Sequence, residues 1–341
     1  MNPGDFYAAL DPAVATREGV GPLVARELRR RGAAVPEALA AESRQLVTVE
    51  VLRERELDAL LAAFDRAAVD ALIIKGTALA YTLYDHPSLR PRCDTDLVVR
   101  RGDGRAAAQI LTALGYTAES GNSGTIVNAQ RIFTRVDALG LRHSVDLHLE
   151  ISNRPRFARA FDFDALRARG ERFRDSQRVR VPSAVDALLL AAVHLAGHHC
   201  GEERLIWLHD IHLLAGIVDW PEVMRTAREK RVLRELARGL AAATAMETRA
   251  TGRPSAMRQF AADFRELSGV ADRVRFVREH ALPPAEHVLH KYGATSRLLL
   301  PFLYCRRAMG LFRAPVGYSV QSAAKVHHRA QFAPMKRANL S

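Results

Sequence analysis

The chain has 341 residues, 48% of them apolar and 26% charged, which excludes a disordered or fibrous protein and leaves ample material for a sizeable core. Its 50 basic residues against 38 acidic ones give +12 at pH 7, a balance that favours polyanionic ligands (nucleotide, nucleic acid or an acidic polymer) without choosing among them. Cys93, Cys200 and Cys305 are far apart, so neither a disulfide framework nor a cysteine zinc site is expected. Asp5 and Glu18 interrupt the N-terminus and the longest apolar run, Ala187 to Val193, is short. No signal peptide and no membrane insertion are therefore expected, and the expected compartment is the cytoplasm.

In chain order, residues 1–67 read as an N-terminal helical segment. Leu23, Val24 and Leu28 fall at helical spacing, and a second long segment runs from Pro36 through Leu60 to Phe64. Residues 68–182 alternate strands with helices: a buried strand at 71–74, a helix at 77–84, a strand at 94–99, a helix at 103–114, then strands near 126–136 and 141–151 joined through Gly140. Ser183 is a fair N-cap for a region, 183–313, that reads as helix in five pieces: 183–199, 203–218, 221–230, 232–248 and 255–280. Residues 314–341 form a basic tail ending near Lys336 and Arg337. The expected class is α+β, a small mixed sheet with flanking helices beside a helical C-terminal bundle.

The most informative residues are Asp94 and Asp96, which precede Leu97, Val98 and Val99. In an extended strand, carboxylates at i and i+2 project to the same side while the apolar continuation anchors the strand. Such a pair suits Mg²⁺, which in phosphate-handling enzymes is held by one or two carboxylates plus the substrate phosphates. Upstream, the strand ending at Ile74 runs into Lys75, Gly76 and Thr77 and then a helix. A glycine at a helix N-terminus permits close backbone approach and favours an anion. Farther on, Val145, Leu147, Leu149 and Ile151 alternate with Asp146, His148 and Glu150, a strand whose polar face either lines a cleft or meets solvent.

Taken together, these elements resemble the polymerase β-like nucleotidyltransferases, and more closely a bacterial group of largely uncharacterised nucleotidyltransferases. The resemblance rests on Ile74-Lys75-Gly76-Thr77-Ala78-Leu79-Ala80, Tyr84, Pro87, Leu89-Arg90-Pro91, Asp94-Thr95-Asp96-Leu97-Val98-Val99 and Val145-Asp146-Leu147-His148. Parts of it are also similar to the toxin nucleotidyltransferases of type IV toxin–antitoxin pairs. The spacer between the glycine turn and the acid pair is longer than in the minimal enzymes, and Thr77 stands where serine is more usual.

The resemblance implies a polymerase β-like lobe that transfers a nucleoside monophosphate from a nucleoside triphosphate, ATP first, to a hydroxyl on a small molecule, carbohydrate, peptide or protein, releasing pyrophosphate. Asp94, Asp96 and Asp146 would be the catalytic carboxylates and ligands of Mg²⁺, or of Mn²⁺ in its place. Lys75, Gly76, Thr77, Arg90, Arg92 and His148 would hold the nucleotide, with Glu150 behind them. The alternative for each arginine is solvent-facing charge, since the chain is rich in arginine throughout. Toxin-like transfer to tRNA, which the basic charge permits, and a non-catalytic nucleotide-binding protein are the other two readings.

One further cluster stands out in the helical region: His194, His198, His199, Arg204, Trp207, His209, Asp210 and His212. His194 and His198 are at i,i+4, a metal-compatible spacing. Asp210 has Ile206, Trp207, Leu213 and Leu214 as helical neighbours, so it needs a partner, because burying it alone costs several kcal/mol. A mononuclear zinc hydrolase is one reading; a buried histidine or arginine network with Asp210 is preferred, because no H-E-x-x-H pattern is present.

Overall fold

The computed structural model describes residues 3–119, 130–152, 154–198, 203–246, 264, 267, 269–294 and 296–313. Helices α1 (Pro3–Ala8), α2 (Pro12–Arg17) and α3 (Gly21–Arg30) precede α4 (Glu37–Arg66). Asp11 caps α2, its carboxylate accepting from the amides of Ala13 and Val14 at 3.0 Å each. α4 is a single helix of 30 residues. Leu39, Leu46, Leu57, Leu60 and Phe64 fall on its buried stripe, and Glu50 interrupts that stripe with a carboxylate that is 3% exposed.

Then come β1 (Ala71–Ile74), α5 (Lys75–Thr82), β2 (Thr95–Val99), α6 (Gly104–Ala113), β3 (Thr117–Ala118), β4 (Gln130–Val136) and β5 (Arg142–His148). Helices α7 (Pro155–Ala158) and α8 (Phe163–Arg169) lead to β6 (Glu171–Arg172) and β7 (Val179–Val181). The strands form one mixed sheet in the order β3-β4-β5-β2-β1-β7-β6. β1 runs antiparallel to β2 and parallel to β7, and β2 runs parallel to β5. All four residues of β1 are buried, the unbroken apolar run of a strand covered on both faces.

The two faces meet different cores. Ala71, Ile73, Leu97, Val99, Val145 and Leu147 join Leu57, Leu60 and Phe64 of α4 and Leu111 of α6. Leu72, Ile74 and Val98 point the other way, into a core built with the C-terminal helices. The helices of that core after the sheet are α9 (Ala184–His198), α10 (Leu205–Ala215), α11 (Trp220–Glu229) and α12 (Leu233–Thr244), joined by Leu23, Val24 and Leu39 of the N-terminal helices; α13 (Val270–Ala281), α14 (Ala285–Tyr292) and α15 (Leu300–Arg313) follow in the chain. At the start of α9 the Ser183 hydroxyl accepts from the Asp186 amide at 3.2 Å, the cap expected there. No helix among the described residues is long and apolar enough to cross a membrane.

The α+β class matches the sequence reading, with differences at the element ends. The helix expected at 77–84 begins at Lys75 and ends at Thr82. The strand expected over 141–151 stops at His148; the chain turns there, so Ile151 enters the core opposite to that of Val145 and Leu147. Strands β6 and β7 were not anticipated, being two and three residues long in an arginine-rich stretch. Residues 126–129, most of 247–268 and the tail 314–341 lie outside the described residues.

Candidate active site

The site begins where β1 becomes α5. Ile74 is extended (φ −123°, ψ 175°) and Lys75 turns the chain with φ +53°. That left-handed conformation costs a non-glycine residue roughly 1–2 kcal/mol. The turn delivers the Lys75 ammonium to 2.6 Å from Oδ1 of Asp96. Thr77, 1% exposed, donates its hydroxyl to the carbonyl of Asp94 at 3.1 Å and lies 3.2 Å from the Thr95 hydroxyl. It therefore fastens α5 to the acid-bearing segment and leaves the helix without a side-chain cap.

Asp96 and Asp146 are direct partners across the parallel β2–β5 ladder, which puts both carboxylates on one face of adjacent strands. Two residues along β5, His148 brings Nε2 to 2.8 Å from Oδ1 of Asp96. One donor atom each from Asp96, Asp146 and His148 lie within 4.8 Å of one another. Asp94, one residue ahead of β2, is not in this group, although its charge acts on Asp146.

Burial, then the charge of Asp96, pushes the Asp94 carboxyl up to about 6. Burial and the charges of Asp94 and Asp96 raise Asp146 well above the carboxylate range. Burial acts on Asp96 too, yet Lys75 and the bond from His148 override it and hold Asp96 below its ordinary value. His148 is pushed down by burial and by Lys75. Three acids thus share the Lys75 ammonium and still repel one another, a repulsion that a divalent cation would relieve. His148 Nδ1 is also buried without a hydrogen-bond partner. Two carboxylates and an imidazole nitrogen form a donor set suited to such an ion.

Both arginines expected to grip phosphate are held by carboxylates of distant helices. Arg92 gives both terminal nitrogens to Glu50 of α4, at 2.8 and 2.6 Å, and lies over the Tyr81 ring. Arg90 reaches the helical layer, where its Nε lies 3.0 and 3.1 Å from the two oxygens of Asp210 and its Nη2 2.6 Å from Oδ2. Gly76 is needed because Arg90 passes beneath the turn: a Cβ there would stand 2.8 Å from Arg90 Nη1 and 3.6 Å from Arg92 Cβ. Glu150 turns outward to Arg101, at 2.6 Å.

In the histidine-rich region Asp210 pairs with Arg90 and accepts from the Tyr84 hydroxyl at 2.6 Å, an arginine network rather than a metal centre. His209 shares a 2.8 Å hydrogen bond with Tyr7, and His194 meets the Trp207 ring edge-on. The His198 side chain and His199 lie outside the described residues. Sequence reasoning missed Glu50, although the signal was the one that flagged Asp210, a carboxylate on a leucine stripe. It also missed Arg53, half-buried on α4, whose charge lowers the Asp94 carboxyl.

A cavity of about 670 Å³ lies on the opposite side of the sheet, lined by Arg101, Arg105, Arg131, Phe133 and Leu147 among others. Leu147 alternates with Asp146 and His148, so this cavity is separate from the acid cluster.

A search of curated proteins returns no match. A family model described as an uncharacterised nucleotidyltransferase matches residues 12–246, a span that takes in the acid cluster, the glycine turn, α4 with Glu50 and α10 with Asp210. The chain accordingly belongs to this uncharacterised nucleotidyltransferase family and is an enzyme of nucleotidyl transfer.

Proposed function

We propose that the enzyme transfers a nucleoside monophosphate from a nucleoside triphosphate, with ATP the first candidate, to a hydroxyl acceptor. The observation that carries this reading is the side-by-side placement of Asp96 and Asp146 across β2 and β5, with the glycine turn at the end of β1 next to them. The acceptor oxygen attacks the α-phosphorus, the bond from that phosphorus to the bridging oxygen breaks, and pyrophosphate leaves. The acceptor proton passes to Asp146, which orients the hydroxyl.

Asp96, Asp146 and His148 would hold a divalent ion, Mg²⁺ or Mn²⁺, with Asp94 alongside, and such an ion supplies charge neutralisation on the phosphates and acidifies a bound hydroxyl. Gly76 lets the triphosphate approach the backbone, and Lys75 offsets its charge. Thr77 keeps the turn and the acid strand in register through Asp94.

The test is incubation with each labelled nucleoside triphosphate, Mg²⁺ and host extract containing small molecules, proteins and tRNA. Label in one acceptor class, with pyrophosphate formed and both lost in Asp96→Asn, supports the reading. Wild-type protein that binds triphosphate and metal yet releases no pyrophosphate with any acceptor makes it a binding protein instead.

A further inference from the structure

Arg90 joins the glycine turn to the helical layer. It is 6% exposed, and its three guanidinium nitrogens divide unequally. Nε and Nη2 are taken by both oxygens of Asp210, which the Tyr84 hydroxyl braces from another side. Nη1 has no hydrogen-bond partner among the described residues and lies against Gly76, 2.8 Å from where a side chain there would begin. The charge of Arg90 also reaches Asp94. A guanidinium fixed on one edge keeps its remaining donors pre-organised at little further entropy cost, and phosphate oxygens accept such donors strongly.

We propose that Arg90 Nη1 is a phosphate contact at the Gly76 turn and that Asp210, with Tyr84, is the residue that positions it. The helical layer, through α10, thus sets how tightly the sheet lobe holds the triphosphate. This rests on the nucleotidyl-transfer reading above and adds to it a positioning residue, Asp210, that lies in a different part of the chain. Lysine at position 90 would keep the charge but would have to choose between Asp210 and the turn.

The probe is inorganic tripolyphosphate with Mg²⁺, titrated calorimetrically into wild type, Arg90→Lys, Asp210→Asn, Tyr84→Phe and the Arg90→Lys/Asp210→Asn double variant, at a temperature where circular dichroism shows each folded. Arg169→Lys is the control, because Arg169 grips buried Asp186 in the same two-bond manner, at 2.9 and 2.8 Å, away from the turn.

Arg90→Lys and Asp210→Asn should each weaken binding about tenfold or more, the double variant no further than the weaker single, and Tyr84→Phe a few-fold. The control should stay within about twofold despite its lost pair. Should Asp210→Asn fail to fold, Arg90→Lys and Tyr84→Phe decide the matter. Wild-type affinity in folded Arg90→Lys, or additive losses in the double variant, overturns this inference alone. A wild-type protein with no affinity for tripolyphosphate overturns the nucleotidyl-transfer reading and this inference with it.

Discussion

Lys75 Nζ and His148 Nε2 approach the same oxygen, Oδ1 of Asp96, at 2.6 and 2.8 Å. An ammonium on that oxygen would compete with a divalent ion that used the same carboxylate.

Replacing Lys75 by methionine should separate its two effects. Without nucleotide, Mn²⁺ affinity measured by calorimetry should rise several-fold, while the metal-free protein loses about 3 kcal/mol, as expected for breaking a buried pair. Nucleotidyl transfer should fall because triphosphate charge is no longer offset. Unchanged Mn²⁺ affinity would show that Lys75 does not compete for the site.

Gly76→Ala tests how rigidly Arg90 is held. A methyl group at this position meets Arg90 Nη1, the end of a side chain that would ordinarily swing aside but is pinned by Asp210. The expected loss is about 1–3 kcal/mol by urea unfolding. It should be smaller when Arg90 is already lysine; equal losses in the two backgrounds would mean the clash lies elsewhere.

Glu50→Ala leaves Arg92 buried without its carboxylate, at a cost of about 3–5 kcal/mol. The double replacement Glu50→Leu/Arg92→Met should recover much of that stability, since apolar residues of similar size often substitute for a buried pair. Urea midpoints of the three variants measure both effects.

His209 predicts an acid-side stability slope. Burial, followed by the charge of His212, pushes its imidazole down to about 3. Below its ordinary value of about 6.5 the unfolded chain takes up a proton that the folded chain refuses until about pH 3. The unfolded state thus binds more protons across that window, so stability is fully present above it and is lost as pH falls, by up to about 1.4 kcal/mol per pH unit. Urea midpoints at pH 5 and 7.5 should differ less in His209→Gln than in wild type; an unaltered difference would assign the slope to other groups.

Much of the scaffold was legible because its signals are local. The leucine spacing of α4, the apolar run of β1, and the alternation in β5 each follow from one period. The partners of the site's charged residues were not, because ion pairing depends on which distant segments meet. Arg90 and Arg92 look alike in sequence, two residues apart, yet one reaches Asp210 on α10 and the other Glu50 on α4. His148 was visible as a polar residue on the face of Asp146. Its contact with Asp96 depends on the parallel β2–β5 register, which no short motif encodes.

The length of α4 constrains how this protein can be dissected. A fragment trimmed to begin just before β1 would retain the acid cluster and the glycine turn, but it would leave the Arg92 guanidinium facing an empty socket and bare the sheet where Leu57, Leu60 and Phe64 had covered it. An excised version meant to keep both the Arg92 partner and the sheet's cover must start upstream of Glu50.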